Sequence, residues 1–291
     1  MPRILIAGCG YVGQATADLF HASGWEVEGW TASRESVASL LAKPYPIFQV
    51  DISNSDQVAE RPGTFDVAIH CASSRGGGIE SYRQIYLNAA RNLLHRFGET
   101  PLLFTSSTSV YAQSDGSWVT EESETGPVRE TGRVLLETEK LVLERRGTVA
   151  RLAGIYGPGR SALLTKFLAG TAIIDPENNR FVNQVHRDDI ASAIFLLLTR
   201  ETQRPEIYNV VDDQPMPQAE CYRWLAKRLN RPLPPIGKST GPRKRGDSNK
   251  RVSNAKLRSF GWALQYPTFA DGMEKSVLPS FAEVAPDKFH L

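Results

Sequence analysis

The stretch Arg3–Gly13, RILIAGCGYVG, constrains the fold more than any other. A five-residue apolar run ends in glycines spaced G-x-G-x-x-G, and a helical pattern, Tyr11–Ala22, opens inside them. An apolar run of that length bounded by glycines reads as a strand buried on both faces of a parallel sheet. The three glycines have separate physical tasks. Gly8 permits a tight turn, Gly10 lets a diphosphate approach the backbone, and Gly13 lets strand and helix pack closely. The helix start adds unpaired amides and a positive dipole end. Gly8, Gly10, Tyr11, Val12 and Gly13 are therefore candidate dinucleotide contacts.

The same alternation continues along the chain. Gly24 ends the first helix, and Glu26–Trp30 resume as a strand. Further strands are expected at Pro46–Asp51, Asp66–Ala72, Leu102–Ser106, Val149–Ile155 and Ile207–Val211, with helices at Ile79–Arg96, Arg129–Arg146 and Arg187–Thr199. Strands spaced by helices predict a doubly wound, Rossmann-like parallel α/β sheet of about seven strands. After Asp212 the prolines become dense, which reads as a smaller, loop-rich lobe. The expected division is a dinucleotide domain at 1–155 with 182–212, and a substrate lobe at 156–181 with 213–291. Ligands of such sheets bind outside the carboxyl ends of the strands.

Composition excludes other classes. Of 291 residues, 34 are Lys or Arg and 32 are Asp or Glu, a net charge of +2 that argues against a nucleic-acid coat. No apolar run approaches the roughly 20 residues of a membrane span, and the first residues lack a signal-peptide pattern. The three cysteines, Cys9, Cys71 and Cys221, stand far apart without a CxxC pair. They read as small buried hydrophobes in a cytoplasmic protein, with neither disulfides nor a metal expected.

The tip of the second strand bears on the cofactor. NAD-preferring folds place an acid there for the ribose 2′-hydroxyl. This chain has Trp30-Thr31-Ala32-Ser33-Arg34, and Glu28 lies too early in the strand to reach. Hydroxyls at Thr31 and Ser33 plus the Arg34 guanidinium suit a 2′-phosphate, which favours NADP over NAD.

The order of motifs resembles the extended short-chain dehydrogenase/reductases, the NAD-dependent epimerase/dehydratase family, over nearly the whole chain. The matching pieces are Gly8–Gly13, Asp51-Ile52, His70-Cys71-Ala72-Ser73, Asn88, TSSTSVY at 105–111, RLAGIYGPG at 151–159, HRDD at 186–189 and YNV at 208–210. The resemblance implies that Asp51 and Ile52 border the adenine and that Cys71, Ala72 and Ser73 line the dinucleotide cleft. It places Ser106 and Ala153 near the nicotinamide, and Ser107 where the family keeps its catalytic serine. It also implies a homodimer through the helices at 79–96 and 129–146. For Asn88 and Asp189 a structural role, holding neighbouring backbone, is expected.

One part of the pattern is broken. The family's Tyr-x-x-x-Lys stacks a phenol and a cation on one helix face, the cation favouring the phenolate. Aligned through Glu139, Thr131 takes the tyrosine position and Leu135 the lysine position. An aliphatic hydroxyl is too weak an acid, and leucine carries no charge. Thr108-Ser109 also replace the Asp-Glu of the family's dehydratases. The chain thus resembles an atypical branch of the family.

Other proton donors are expected to be structural. Tyr111 supports packing, Tyr82 and Tyr86 share one helix face, His70 is a core histidine, and His186 caps or braces a helix. Glu121, Glu122 and Glu124 read as a solvated loop. The basic stretch Lys238–Arg251, with Arg243 and Arg245, reads as a mobile loop or an anion grip for a phosphorylated small molecule. Two functions follow. One is an NADP-dependent oxidoreductase or epimerase-like enzyme acting on a carbonyl or nucleotide-sugar-like substrate. The other is a non-catalytic sensor of the NADP/NADPH ratio.

Overall fold

The structure is a computed structural model that describes residues 1–74, 76–200, 205–238 and 248–284. Its central element is a seven-stranded sheet. The strands are β1 (Arg3–Ala7), β2 (Glu26–Thr31), β3 (Ile47–Gln49), β4 (Val67–His70), β5 (Leu102–Ser107), β6 (Thr148–Leu152) and β7 (Ile207–Val210). They lie side by side in the order β7-β6-β5-β4-β1-β2-β3. Neighbours from β3 through β6 run parallel, with Ala7 opposite both Trp30 and His70. That order reverses between β1 and β4, the switch point where doubly wound sheets open a crevice.

The burial pattern explains why these segments are strands. Ile4–Ala7 and Val67–His70 are buried throughout, as befits strands covered on both faces by helices. Helix α1 (Tyr11–Ala22) buries Val12, Gly13, Thr16, Ala17 and Phe20, one stripe of the helix. Phe20 meets Trp25 edge-on at 5.1 Å and Phe195 at 4.9 Å. After β2 comes the short α2 (Arg34–Ala38), and α3 (Ser55–Glu60) is capped by Asn54.

The helix expected at 79–96 is interrupted. It consists of α4 (Ile79–Tyr82), a π-helical stretch Arg83–Asn88 and α5 (Ala89–Phe97). Helix α6 (Glu130–Glu144) buries Val134, Leu135, Thr138, Glu139 and Val142. Among the described residues, no helix is long and apolar enough to cross a membrane.

The chain divides into two units. The first comprises residues 1–110, 125–152 and 190–208; the second comprises 111–124, 153–189 and 209–291. Residues 111–124 therefore leave the dinucleotide domain expected from sequence. The reason is local: Trp118–Val119 pairs with Arg251–Val252, and Tyr111 donates to Asn209 Oδ1 at 2.9 Å. The strand expected at 149–155 also breaks, at Ala153. Its first part is β6, whereas Gly154–Tyr156 pairs with Gln184–His186 in the second unit. The core of that unit is built on Tyr156, Leu164, Phe167, Tyr222, Leu225 and Phe269.

Candidate dinucleotide site

The glycine loop sits at the carboxyl end of β1, tied to both neighbouring strands. The amides of Gly8 and Cys9 donate to Trp30 O at 3.0 and 2.8 Å, and Cys71 N donates to Ala7 O at 2.9 Å. Gly8 has φ +106°, and a Cβ there would stand 2.2 Å from Ala72 N. A Cβ on Gly13 would stand 2.3 Å from Gly8 O. Gly10 differs: its Cβ position meets nothing nearer than Gly8 O at 4.0 Å. Two glycines thus pack the loop against its own fold, and the third keeps an open face clear. Gly10 is also the cap of α1, whose start has neither a side-chain cap nor an acid in its first turn. An anion is the complement of such an end.

The flanking side chains are placed as follows. At the tip of β2, Thr31 is half-buried. Ser33 caps α2 by accepting from Ser36 N at 3.2 Å, and Arg34 is exposed with no ion pair among the described residues. Glu28 turns inward, accepting from Trp30 Nε1 at 2.7 Å and pairing with Arg61 at 3.3 Å. No carboxylate therefore occupies that tip. Asp51 Oδ1 accepts from Ser53 N and Oγ at 2.9 and 2.7 Å, while Ile52 is buried. Cys71 Sγ contacts Gly8 O at 3.2 Å, and burial pushes its thiol up; Ala72 is half-buried and Ser73 exposed. Burial raises Cys9 and Cys221 to about 12, so all three thiols are held neutral.

Ser106 and Ser107 end β5 and face different surroundings. Ser106 Oγ donates to Glu139 Oε1 at 2.5 Å, and Arg151 grips the same carboxylate, Nε at 3.1 and 3.2 Å and Nη2 at 2.6 Å. All three residues are at least 95% buried. The Ser106 hydroxyl is thus committed inward. Ser107 is half-buried, its Oγ accepting from Ser109 N at 3.1 Å. On α6, Thr131, Leu135 and Glu139 share one face; Thr131 is half-buried and Leu135 only 3% exposed. Leu135 carries no ionisable group. The Ser106–Glu139–Arg151 network escaped sequence inspection, although an acid on an apolar helix face and an arginine within an apolar strand signal a buried pair.

In the second unit, Ala153 is buried and donates to Val210 O at 3.0 Å. Asp189 accepts from the amides of Gln265 and Tyr266 at 2.6 and 3.1 Å, and its burial raises the carboxyl to about 6. His186 closes a strand and, as expected, caps the helix that follows it, Arg187–Thr199. Its Nδ1 accepts from Asp188 N at 3.2 Å, its Nε2 meets Ser276 Oγ at 2.9 Å, and burial lowers it to about 4. Glu121 is not a solvated loop residue, because it accepts from Asn209 N at 2.7 Å. Within the basic stretch, Lys250 is buried and donates to Tyr111 O at 2.9 Å, while exposed Lys238 pairs with Glu177 at 3.0 Å. Arg243 and Arg245 lie outside the described residues. Two cavities lie away from the glycine loop. One is at the amino end of the sheet beside Arg3, Trp25 and Tyr45; the other is in the second unit beside Lys166, Arg180 and Tyr222. Among the described residues, no group of acids, histidines and cysteines could hold a metal ion.

The glycine cradle at a sheet switch point and the motif order together match one family model, NAD dependent epimerase/dehydratase, over residues 4–210. The chain belongs to that family. Protein YeeZ of Escherichia coli K12 is 30% identical over 280 residues, covering 92% of this chain and 97% of YeeZ. A structure from Methylobacillus flagellatus, described as an NAD-dependent epimerase/dehydratase, aligns with a TM-score of 0.79. It is 29% identical and covers 96% of this chain and 98% of that one. The UDP-glucuronic acid 4-epimerase of Bacillus cereus, in complex with NAD, shares the fold at 16% identity and a TM-score of 0.77, covering 97% and 99% of the two chains.

His70 gives a pH-dependent prediction. It is fully buried, its Nε2 donates to Tyr86 O at 3.2 Å, and burial lowers it from 6.5 to about 4. The folded state therefore holds a neutral imidazole. Its contribution is complete above about pH 6.5 and is lost as pH falls toward 4, on the order of 3 kcal/mol in all. Urea titrations of the wild type and His70→Phe between pH 4 and 7 measure it. His186 and Asp189 are common to both proteins and cancel in the difference. The wild type should lose stability faster on acidification, by up to about 1.4 kcal/mol per pH unit. Parallel pH dependences would show that the imidazole is charged when folded.

Proposed function

We propose that the protein is a nicotinamide-dinucleotide-dependent oxidoreductase that prefers NADP(H) and acts on a small carbonyl compound or a nucleotide-sugar-like, phosphorylated substrate. The observation that carries this reading is the Gly8–Gly13 cradle, packed shut at Gly8 and Gly13 and open at Gly10. The family's name and the NAD held by the fold-sharing Bacillus cereus enzyme support it. Bound there, the dinucleotide supplies hydride transfer. The chain's own residues hold and orient. The Gly10 backbone and the start of α1 take the diphosphate, Arg34 with Thr31 the 2′-phosphate, and Asp51 and Ile52 the adenine edge. Cys71, Ala72 and Ser73 wall the cleft, and the Ser107 hydroxyl orients a substrate oxygen.

The preference for NADP(H) rests on an exposed guanidinium and an absent acid at the tip of β2. Isothermal titration should find NADPH bound at least about tenfold more tightly than NADH. Arg34→Ala should lose about tenfold or more of the NADPH affinity and leave NADH within about twofold, since a hydrogen bond between charged groups contributes about 1.5–3 kcal/mol. Equal or reversed affinities in the wild type would overturn the preference. Turnover of NADPH against a panel of carbonyl compounds and nucleotide sugars tests the enzymatic reading.

A second reading, a non-catalytic NADP(H) sensor, is favoured by Leu135, an aliphatic side chain buried where the family's lysine belongs. It predicts dinucleotide binding without turnover of any compound in that panel, and a partner protein captured only in one redox state.

A further inference from the structure

Helix α6 carries no phenol or ammonium at its Thr131 and Leu135 positions, so a proton donor must reach the carboxyl edge of the sheet from another element. Tyr86 fixes where the helix after β4 stands. Its ring lies 6.4 Å from His70 and 6.1 Å from Phe104, register partners of which His70 closes β4 and Phe104 sits midway along β5. A helix following a parallel strand runs back against it, so stepping from Tyr86 to Tyr82 moves toward the carboxyl ends by about 6 Å. On a strand that is about two residues. Tyr82 therefore stands level with Ser106, which shares a face of β5 with Phe104, and beyond the end of β4.

The surroundings of Tyr82 are polar in two directions. Ser74, on the segment leaving β4, has a buried Oγ with no hydrogen bond among the described residues. The Ser74 hydroxyl favours the ionised form of the Tyr82 phenol. Arg129, two residues ahead of Thr131, acts on the phenol in the same sense. On its own helix the neighbours are Tyr86, with ring centroids 4.9 Å apart, and Arg83, which ties the helix to α6 through Glu137 at 3.1 Å.

We infer that Tyr82 is the proton-donating phenol of this site, reaching from α4 the sheet edge that Thr131 and Leu135 leave without one. The inference rests on the oxidoreductase reading above. Burial and Tyr86 raise the phenol above its ordinary value, outweighing Ser74 and Arg129, so Tyr82 keeps its proton at neutral pH. Such a group gives a proton and does not take one. As a carbonyl carbon accepts a hydride from a reduced nicotinamide dinucleotide, the C=O π bond opens and the Oη–H bond of Tyr82 breaks. The proton passes to the substrate oxygen, and water returns a proton to the phenolate. The carbonyl is reduced and the dinucleotide oxidised. The reverse direction needs the phenolate and is confined to alkaline pH.

The test is an alkaline ultraviolet difference titration of the full chain and of Tyr82→Phe, with and without saturating NADP⁺. One transition should vanish in Tyr82→Phe. In the wild type, NADP⁺ should move that transition to about tenfold lower hydroxide concentration, because a cationic ring within hydrogen-bonding range stabilises a phenolate. Tyr82→Phe should bind NADP⁺ within about twofold of the wild type, and its reduction of phenanthrenequinone by NADPH should fall by about 100-fold or more. If NADP⁺ binds and the transition stays in place, or if Tyr82→Phe reduces the quinone as the wild type does, the assignment is wrong and the oxidoreductase reading stands. Failure of the wild type to bind any nicotinamide dinucleotide overturns both.

Discussion

Replacing Arg151 by methionine should unfold the protein at far lower urea concentration than any change at its surface. Arg151 and Glu139 are 3% and 2% exposed, so neither charge has water to fall back on. The guanidinium holds both carboxylate oxygens with three contacts, and Ser106 adds a fourth bond to Glu139. Removing one partner strands the other charge in the interior, which costs about 3–5 kcal/mol. Against a total stability of about 5–15 kcal/mol, that is a fifth or more of the folding free energy. The companion variant separates pairing from packing. Arg151→Met combined with Glu139→Leu removes both charges at similar volume and should recover most of the loss, since an apolar replacement of a buried pair is often neutral. Ser106→Ala should cost less, about 1.5–3 kcal/mol. Urea midpoints for the four proteins decide it. A single variant within about 1 kcal/mol of wild type would mean that water reaches the pair.

The glycine loop gives the second large effect, and its members should separate cleanly. Gly8→Ala imposes a side chain at φ +106° and drives a Cβ to 2.2 Å from Ala72 N and 2.5 Å from Ala72 Cα. Both obstacles are backbone, which cannot swing aside. Strain of about 1–3 kcal/mol from the dihedral adds to a comparable cost for the overlap. Gly10→Ala meets no such obstacle and should keep the melting temperature close to wild type. Its methyl group instead stands on the open face proposed for the diphosphate, and NADPH affinity should fall by more than about tenfold. Thermal melting and NADPH titration on the two variants read the two effects apart. A Gly10→Ala protein that binds NADPH normally would remove the cradle from the proposed site.

Which elements were visible in the sequence follows from what each one depends on. RILIA and VAIH announced buried strands because a strand covered on both faces needs apolar residues throughout. The glycine loop was visible because its constraint is local. The break at Ala153 was not, since LAGIYG runs on without a polar residue, and its division depends on Gly154 N donating to Asn183 O, far along the chain. Glu121 looked like one acid among three in a loop, and only the folded chain brings the Asn209 amide to it. Tyr82 and Tyr86 were readable as a pair on one face. Which of them stands at the carboxyl edge depends on the level of His70 and Phe104, and that requires the sheet register.

The widened turn at Arg83–Asn88 gives that pair an unusual origin. A π-helical stretch is the footprint of a residue added to an ordinary helix. Upstream of such an addition, every side chain is rotated by about 100° relative to the residues that follow. The buried face of α5, Ala89, Ala90, Leu93 and Leu94, can therefore keep its seat on the sheet while α4 turns as a dial. One added or removed residue re-aims Tyr82 relative to that face. Shortening this stretch by one residue would turn Tyr82 away from the strand ends.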